Sequence, residues 1–233
     1  MTHTSPSTTP PPSAIQCRGL TFHWNPQAPA IHYPDITLPQ GHHLFLRGPS
    51  GSGKSTLLGL ICGLSPLQQG QLTLLGQDAR QLSRGRFDRL RADQLGVIFQ
   101  QFNLVPYLSP LANTLLPCRL SARRRLRTAP SARKEAEALL EALTIPPRHW
   151  HHPINELSVG QQQRVAAARA LIGSPGLILA DEPTSALDTD NRDRFIQILL
   201  NQANARQTSV LFVSHDEALA QHFPNQLTLG APQ

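Results

Sequence analysis

Short apolar runs recur along the chain, and the spacing of apolar positions switches between every second residue and every third or fourth. Ile15-Gln16-Cys17 and Leu20-Thr21-Phe22 alternate as a half-buried strand does, and His23-Trp24-Asn25-Pro26 breaks the pattern. Pro29 and Pro34 predict a wandering hairpin before Ile36-Thr37-Leu38, with Gln40-Gly41 turning into the buried strand Leu44-Phe45-Leu46. Residues 56–64 predict an apolar helix, ended by Gly63 and Pro66. A strand and turn at 71–76, a polar stretch at 77–93 and an apolar strand at 95–99 follow. From 102 to 157, Pro106, Pro110, Pro117 and Pro130 punctuate short segments, and helical spacing replaces alternation. Ala136, Leu139, Leu140 and Leu143 fall on one face of an amphipathic helix over 131–143. Strand patterns resume at Leu177-Ile178-Leu179-Ala180 and Ser209-Val210-Leu211-Phe212-Val213. Short apolar strands alternating with helices predict an α/β fold, a parallel sheet with helices on both faces, interrupted by a helical insertion at about 102–165. Residues 1–13, rich in Thr, Ser and Pro, predict a disordered tail; 14–233 are expected to form one domain.

Composition changes this picture little. A chain of 233 residues with 39% apolar content can build a proper core. No run approaches the roughly eighteen apolar residues of a membrane span. With no secretory pattern at the N-terminus, the expectation is a cytoplasmic protein. Cys17, Cys62 and Cys118 are scattered and odd in number, which predicts reduced thiols rather than a disulfide framework or zinc site. His42, His43, His149, His151 and His152 come without acidic or cysteine ligands at metal spacing. The net charge of +6 is carried almost wholly by arginine, clustered at 119–127 and 80–91. The expected reading is a solvated surface, and a face for anionic lipid headgroups is the alternative.

Candidate chemistry begins at Gly48-Pro49-Ser50-Gly51-Ser52-Gly53-Lys54-Ser55-Thr56, which fits the phosphate-loop pattern G-x-x-x-x-G-K-[ST]. A loop that wraps a triphosphate needs inward backbone N–H groups and no bulk, which Gly48, Gly51 and Gly53 allow. Lys54 can reach the β- and γ-phosphates and Ser55 can ligate Mg²⁺. A strand before the loop and a helix after it supply the required setting. The apolar run 177–180 ends in Asp181-Glu182, placing one carboxylate for the metal and one to activate water.

Leu157-Ser158-Val159-Gly160-Gln161-Gln162-Gln163-Arg164 resembles the signature segment of the ATP-binding-cassette (ABC) ATPases, and lies between helical insertion and acidic strand as in that family. Gln100 is similar to its Q-loop glutamine, Ser185-Ala186-Leu187-Asp188 to its D-loop and His215 to its switch histidine. Trp24 stands where the family usually has an aromatic residue that stacks on adenine. The resemblance covers about 15–230. It implies a P-loop NTPase fold: a RecA-like parallel core, an antiparallel β subdomain and an inserted helical signature subdomain. It further implies ATP and Mg²⁺ as cofactors, with Ser55, Gln100 and Asp181 at the metal, and Lys54, Gln100, Glu182 and His215 in hydrolysis. A second copy would present Ser158, Gly160 and Gln161 to the ATP on the first copy's phosphate loop, with Asp188 across the seam. Val159 departs from the family, which usually has glycine there; a β-branched residue requires φ below zero. Gln161, Gln162 and Gln163 are expected on a polar helix face.

With no span of its own, the chain would drive a separate integral-membrane permease from the cytoplasmic face. Residues 100–108 resemble the lipoprotein-release and macrolide-export cassettes, which implies export or mechanotransmission. Phe102, Leu104 and Tyr107 are the expected permease contacts. A nutrient-importer ATPase shares every motif. A nucleic-acid-associated ABC ATPase would suit the positive charge, but the chain has no sustained heptads, zinc cysteines or second cassette, so no direct nucleic-acid contact is expected.

Overall fold

The unbroken apolar runs form the interior of a parallel sheet. In a computed structural model, which describes residues 12–185 and 187–230, β1 (Ser13–Phe22), β2 (Ile31–His32), β3 (Ile36–Pro39) and β4 (His43–Arg47) lead into α1 (Lys54–Ile61). Next come β5 (Gln69–Leu74), β6 (Gln77–Asp78), α2 (Arg84–Gln94) and β7 (Leu95–Ile98). The helices α3 (Pro110–Leu120), α4 (Ala122–Arg127), α5 (Ala132–Ala142) and α6 (Val159–Leu171) follow. The chain then runs through β8 (Leu177–Asp181), α7 (Thr189–Asn204), β9 (Ser209–Val213) and β10 (Asn225–Thr228). The expected tail lies outside the described residues apart from Pro12 and Ser13, and Ser13 already belongs to β1.

One sheet has the order β10-β4-β9-β8-β7, parallel throughout. Successive side chains point to opposite faces. Leu44, Leu46, Leu177, Leu179, Leu211 and Val213 therefore join one core with α1, while Phe45, Ile178, Ala180, Val210 and Phe212 join another with α5, α6 and α7. Burial on both faces is why these strands read as continuous apolar runs. β1 pairs antiparallel with β2, β3 and β5, and β5 with β6, giving a second sheet that closes over the first core. The fold is that of a P-loop NTPase with a mixed parallel and antiparallel β framework and a helical subdomain.

One stretch gains elements the sequence did not mark, and two expectations are corrected. The polar stretch 77–93 contains β6 and α2; α2 buries only Leu90, so it lacks an apolar stripe, and Ser83 caps it by accepting from Arg86 N–H. Gln163 is fully buried rather than on a polar face. Arg124 is 1% exposed, not solvated.

The Arg124 guanidinium donates to the carbonyls of Leu95 (2.5 Å), Ala170 (3.3 Å) and Ile172 (3.1 Å), tying α4 to the start of β7 and the end of α6. Burial pulls its pKa down to about 10. Arg124→Ala leaves three carbonyls without this donor, and we expect it to cost about 2–4 kcal/mol of stability. The check is a lower denaturant midpoint with an unchanged slope. Arg124→Lys recovers only part, because an ammonium cannot reproduce the planar fork.

The three cysteines are free and buried, and burial pushes the Cys17 thiol up to about 12 and Cys62 to about 11. Among the described residues no helix is long and apolar enough to cross a membrane.

Candidate functional site

Leu46, Val213 and Asp181 lie side by side in register across β4, β9 and β8. The segments leaving these strands therefore emerge together at one end of the sheet. After β4 comes the glycine loop, with Gly51 at φ 81° and Gly53, the N-cap of α1, at φ 87°. A Cβ on Gly53 would lie 2.9 Å from Tyr33 Oη, and one on Gly48 would lie 2.6 Å from Ser52 Oγ. The loop is thus both left-handed and tightly packed, conditions that favour glycine. The first N–H groups of α1 open onto it. Lys54 Nζ lies back over the loop, donating to Gly48 O (2.6 Å) and Pro49 O (3.0 Å). Ser55 Oγ donates to Asp181 Oδ2 at 3.3 Å.

Burial raises the Asp181 pKa, and the charge of Glu182 adds to the rise, while the Ser55 hydrogen bond and Lys54 oppose it. A half-buried carboxylate beside a second one and a hydroxyl is a set of hard oxygen donors suited to a divalent cation such as Mg²⁺. Glu182 sits at φ 45°, a left-handed conformation uncommon outside glycine, with its N–H bonded to Val213 O (2.9 Å). That turn aims its carboxylate at the segment after β9. Oε2 accepts from Ser214 Oγ (3.0 Å), and Oε1 lies 2.9 Å from His215 Nδ1. Ser214 Oγ also accepts from Asp216 N (3.2 Å), and Asp216 is paired with Arg192 of α7.

Asp181, Glu182 and His215 line one cleft of about 540 Å³, together with Gln100, residues 50–56, Ile31 and Trp24. Trp24 is 67% exposed, and its ring stands perpendicular to that of Phe22 with centroids 5.2 Å apart. Gly48 and Pro49 lie at the start of the loop, outside this lining.

Ser158, Gly160 and Gln161 are not in that lining either. They form the N-terminus of α6, where Ser158 Oγ accepts from Gln161 N (3.3 Å) and Gln161 Oε1 accepts from Ser158 N (3.0 Å), a capping box. Gln161 Oε1 is thereby engaged within its own helix. Val159 is the first helical residue, half-exposed and without a positive φ, so its branch fits where glycine is usual. A Cβ on Gly160 would come 3.2 Å from Leu187, which places the signature turn against the segment leading to Asp188. Asp188 caps α7 through Asn191 N at 3.0 Å. Ala186 lies outside the described residues.

The sequence did not single out Ser214, Arg192, Asp216 or Arg169. Arg169 of α6 donates to Phe102 O (2.5 Å) and Asn103 O (2.6 Å), both residues left-handed, and so staples the signature helix to the segment after Gln100. Only adjacency to His215 could have marked Ser214 and Asp216. The histidines are engaged separately: buried His43 bonds Asn204 (2.9 Å), His42 its own turn, and His152 bonds Glu156 (3.1 Å) with the His149 ring edge-on at 5.9 Å. Among the described residues no group of three or more His, Cys, Asp or Glu is placed to hold a metal.

Comparison with known proteins gives this geometry a family. The ABC transporter family pattern matches residues 31–185. The chain is 42% identical over 188 residues to the macrolide export ATP-binding/permease protein MacB of Escherichia coli, covering 81% of this chain but 28% of MacB. It is 39% identical to the lipoprotein-releasing system ATP-binding protein LolD of Shewanella sp. (strain MR-7), over 84% of this chain and 82% of LolD. Among solved structures, it matches a dimeric ABC transporter cassette, MJ0796 of Methanocaldococcus jannaschii, with TM-score 0.79 and 34% identity over 94% of this chain and 95% of that one. A second dimeric structure of MJ0796, in a post-hydrolysis state bound to ADP and Pi, matches with TM-score 0.79 and 32% identity, over 94% and 97% of the two chains. The chain belongs to the ABC transporter family, as an ATP-binding cassette related to those of MacB and LolD.

Proposed function

We propose that two copies of this chain enclose two Mg-ATP molecules head to tail and hydrolyse them to drive a separate membrane permease. The split of the site supports this: the phosphate loop and the acidic strand share one cleft, while the capped N-terminus of α6 lies outside it with Ser158 exposed. That N-terminus carries N–H donors and the positive end of a helix dipole, which suit a phosphate brought by another copy. Lys54 and the loop N–H groups hold the β- and γ-phosphates, and Trp24 offers its ring to the base. Ser55, Asp181 and Gln100 hold Mg²⁺, which supplies charge neutralisation on the transferring phosphoryl group. Glu182 orients and deprotonates the attacking water, and His215 holds the carboxylate and senses the γ-phosphate. Ser158, Gly160 and Gln161 of the second copy complete the phosphate shell.

Asp181 gives this reading a measurable signature. Its folded pKa is raised above the unfolded value, so its contribution to stability is present below the unfolded pKa and is lost as pH rises through the folded one. Asp181→Asn is therefore expected to raise the melting temperature of the nucleotide-free protein at neutral pH. The same change removes the Mg²⁺-dependent part of stabilisation by ATP. Melting curves with ATP, with and without Mg²⁺, check both signs.

The likeness to MacB and LolD favours export or mechanotransmission from the cytoplasmic face of the inner membrane, with nutrient import as the second reading. A tagged Glu182→Gln variant purified from detergent-solubilised membranes with ATP tests the assignment. A co-purifying permease of about four spans with a large outer domain is the expected result. A permease of five or more spans with a solute-binding protein would move the protein to import. Recovery only with ribosomes or DNA would overturn transport.

A further inference from the structure

The arginine-rich segments at 80–91 and 119–127, apart in sequence, are brought together by the fold. α2 presents Arg86, Arg89 and Asp93 toward α4, and Arg123 of α4 completes a cleft of about 290 Å³ between them, with Gln77 and Gln94 at its edge. Arg86, Arg89 and Arg123 are exposed. Among the described residues none of the three is in an ion pair. The one carboxylate in the cleft, Asp93, is bonded by Ser121 Oγ at 2.5 Å, the residue that also caps α4. Three like charges around a single carboxylate leave an excess of positive charge that an anion can join. Guanidinium groups match phosphate geometry through paired N–H donors.

The surroundings suggest where such a phosphate comes from. Arg119 and Arg125 are exposed close by in sequence, and Leu126, one turn from Arg123 on α4, is 74% exposed. Leu120, at the end of α3, is 78% exposed and lines a neighbouring apolar groove with Phe99 and Asn103, the segment flanking Gln100. Exposed leucines set among arginines are the pattern of a surface that meets headgroups and the upper acyl region together. We propose that the α2–α4 cleft, through Arg86, Arg89 and Arg123, binds the phosphate of an anionic phospholipid headgroup and lays this face of the cassette on the membrane. The site rests on the membrane-peripheral reading above only for the nearness of a bilayer, and it works in a single chain without nucleotide.

Sedimentation of the nucleotide-free protein with vesicles tests it. Wild type is expected to bind phosphatidylcholine vesicles containing phosphatidylglycerol and not phosphatidylcholine alone. Arg86→Gln, Arg89→Gln and Arg123→Gln together should weaken binding roughly a hundredfold, since each basic side chain near such a surface contributes about a factor of five. Arg18→Gln, Lys134→Gln and Arg148→Gln, which remove the same charge from exposed positions elsewhere, should leave most binding intact. Equal losses in the two triple variants would reduce the effect to bulk charge and overturn the site. Wild type ignoring anionic vesicles would also overturn it, as would displacement by millimolar inorganic phosphate or glycerol phosphate, which would assign the cleft to a soluble ligand. ATP-driven dimerisation, measured on the same variants, should be unchanged, so failure here is separable from failure of the motor assignment.

Discussion

Glu182→Gln is expected to bind ATP, remain locked as an ATP-bound dimer and turn over at least about a hundredfold more slowly than wild type. The substitution preserves shape, so Ser214 and His215 keep a partner at the position now occupied by the carboxylate. What it removes is the negative charge of the carboxylate that, on the proposed mechanism, takes the proton of the attacking water. ATP can still join the two copies, but the step that releases them is lost. Size-exclusion chromatography with saturating ATP reads the outcome directly. A variant that remained monomeric there would count against the sandwich.

Lys54→Ala is expected to abolish turnover and to weaken ATP binding by about 2–3 kcal/mol, the scale of charge-assisted hydrogen bonds. Lys54 Nζ bonds two carbonyls of its own loop, Gly48 O and Pro49 O, so its ammonium is already held against the glycine loop. Retained turnover would refute the phosphate-loop assignment. Folding should be little affected, because the lost contacts are partly exposed; an unchanged melting temperature without nucleotide separates the two effects.

The cleft was legible because its chemistry is local in sequence: a loop without side chains, a lysine and a hydroxyl at fixed offsets, and two carboxylates ending an apolar strand. The parallel core was legible because burial on both faces leaves strands such as Ser209–Val213 without polar interruptions. What was hidden depends on contacts between distant segments. α2 shows almost no apolar stripe, since it buries only Leu90. Arg124 looks like its solvated neighbours until α4 turns it toward the carbonyls of β7 and α6. Ser214 is a small polar residue beside a histidine, and only the left-handed turn at Glu182 brings the carboxylate to it. Gln163 is fully buried with neither amide atom hydrogen-bonded, and nothing in the structure explains it.

The central claim is that each ATP site is built from two copies, Lys54 of one and Ser158 of the other. Mixing two inactive variants, Lys54→Ala and Ser158→Arg, tests it most directly. In a head-to-tail dimer of one variant with the other, one site receives both lesions and the second receives neither. The account predicts ATPase activity in the mixture that neither variant shows alone, rising to a maximum near equal amounts. A mixture as inactive as its components, at every ratio and with mixed dimers verified by differential tags, would contradict it.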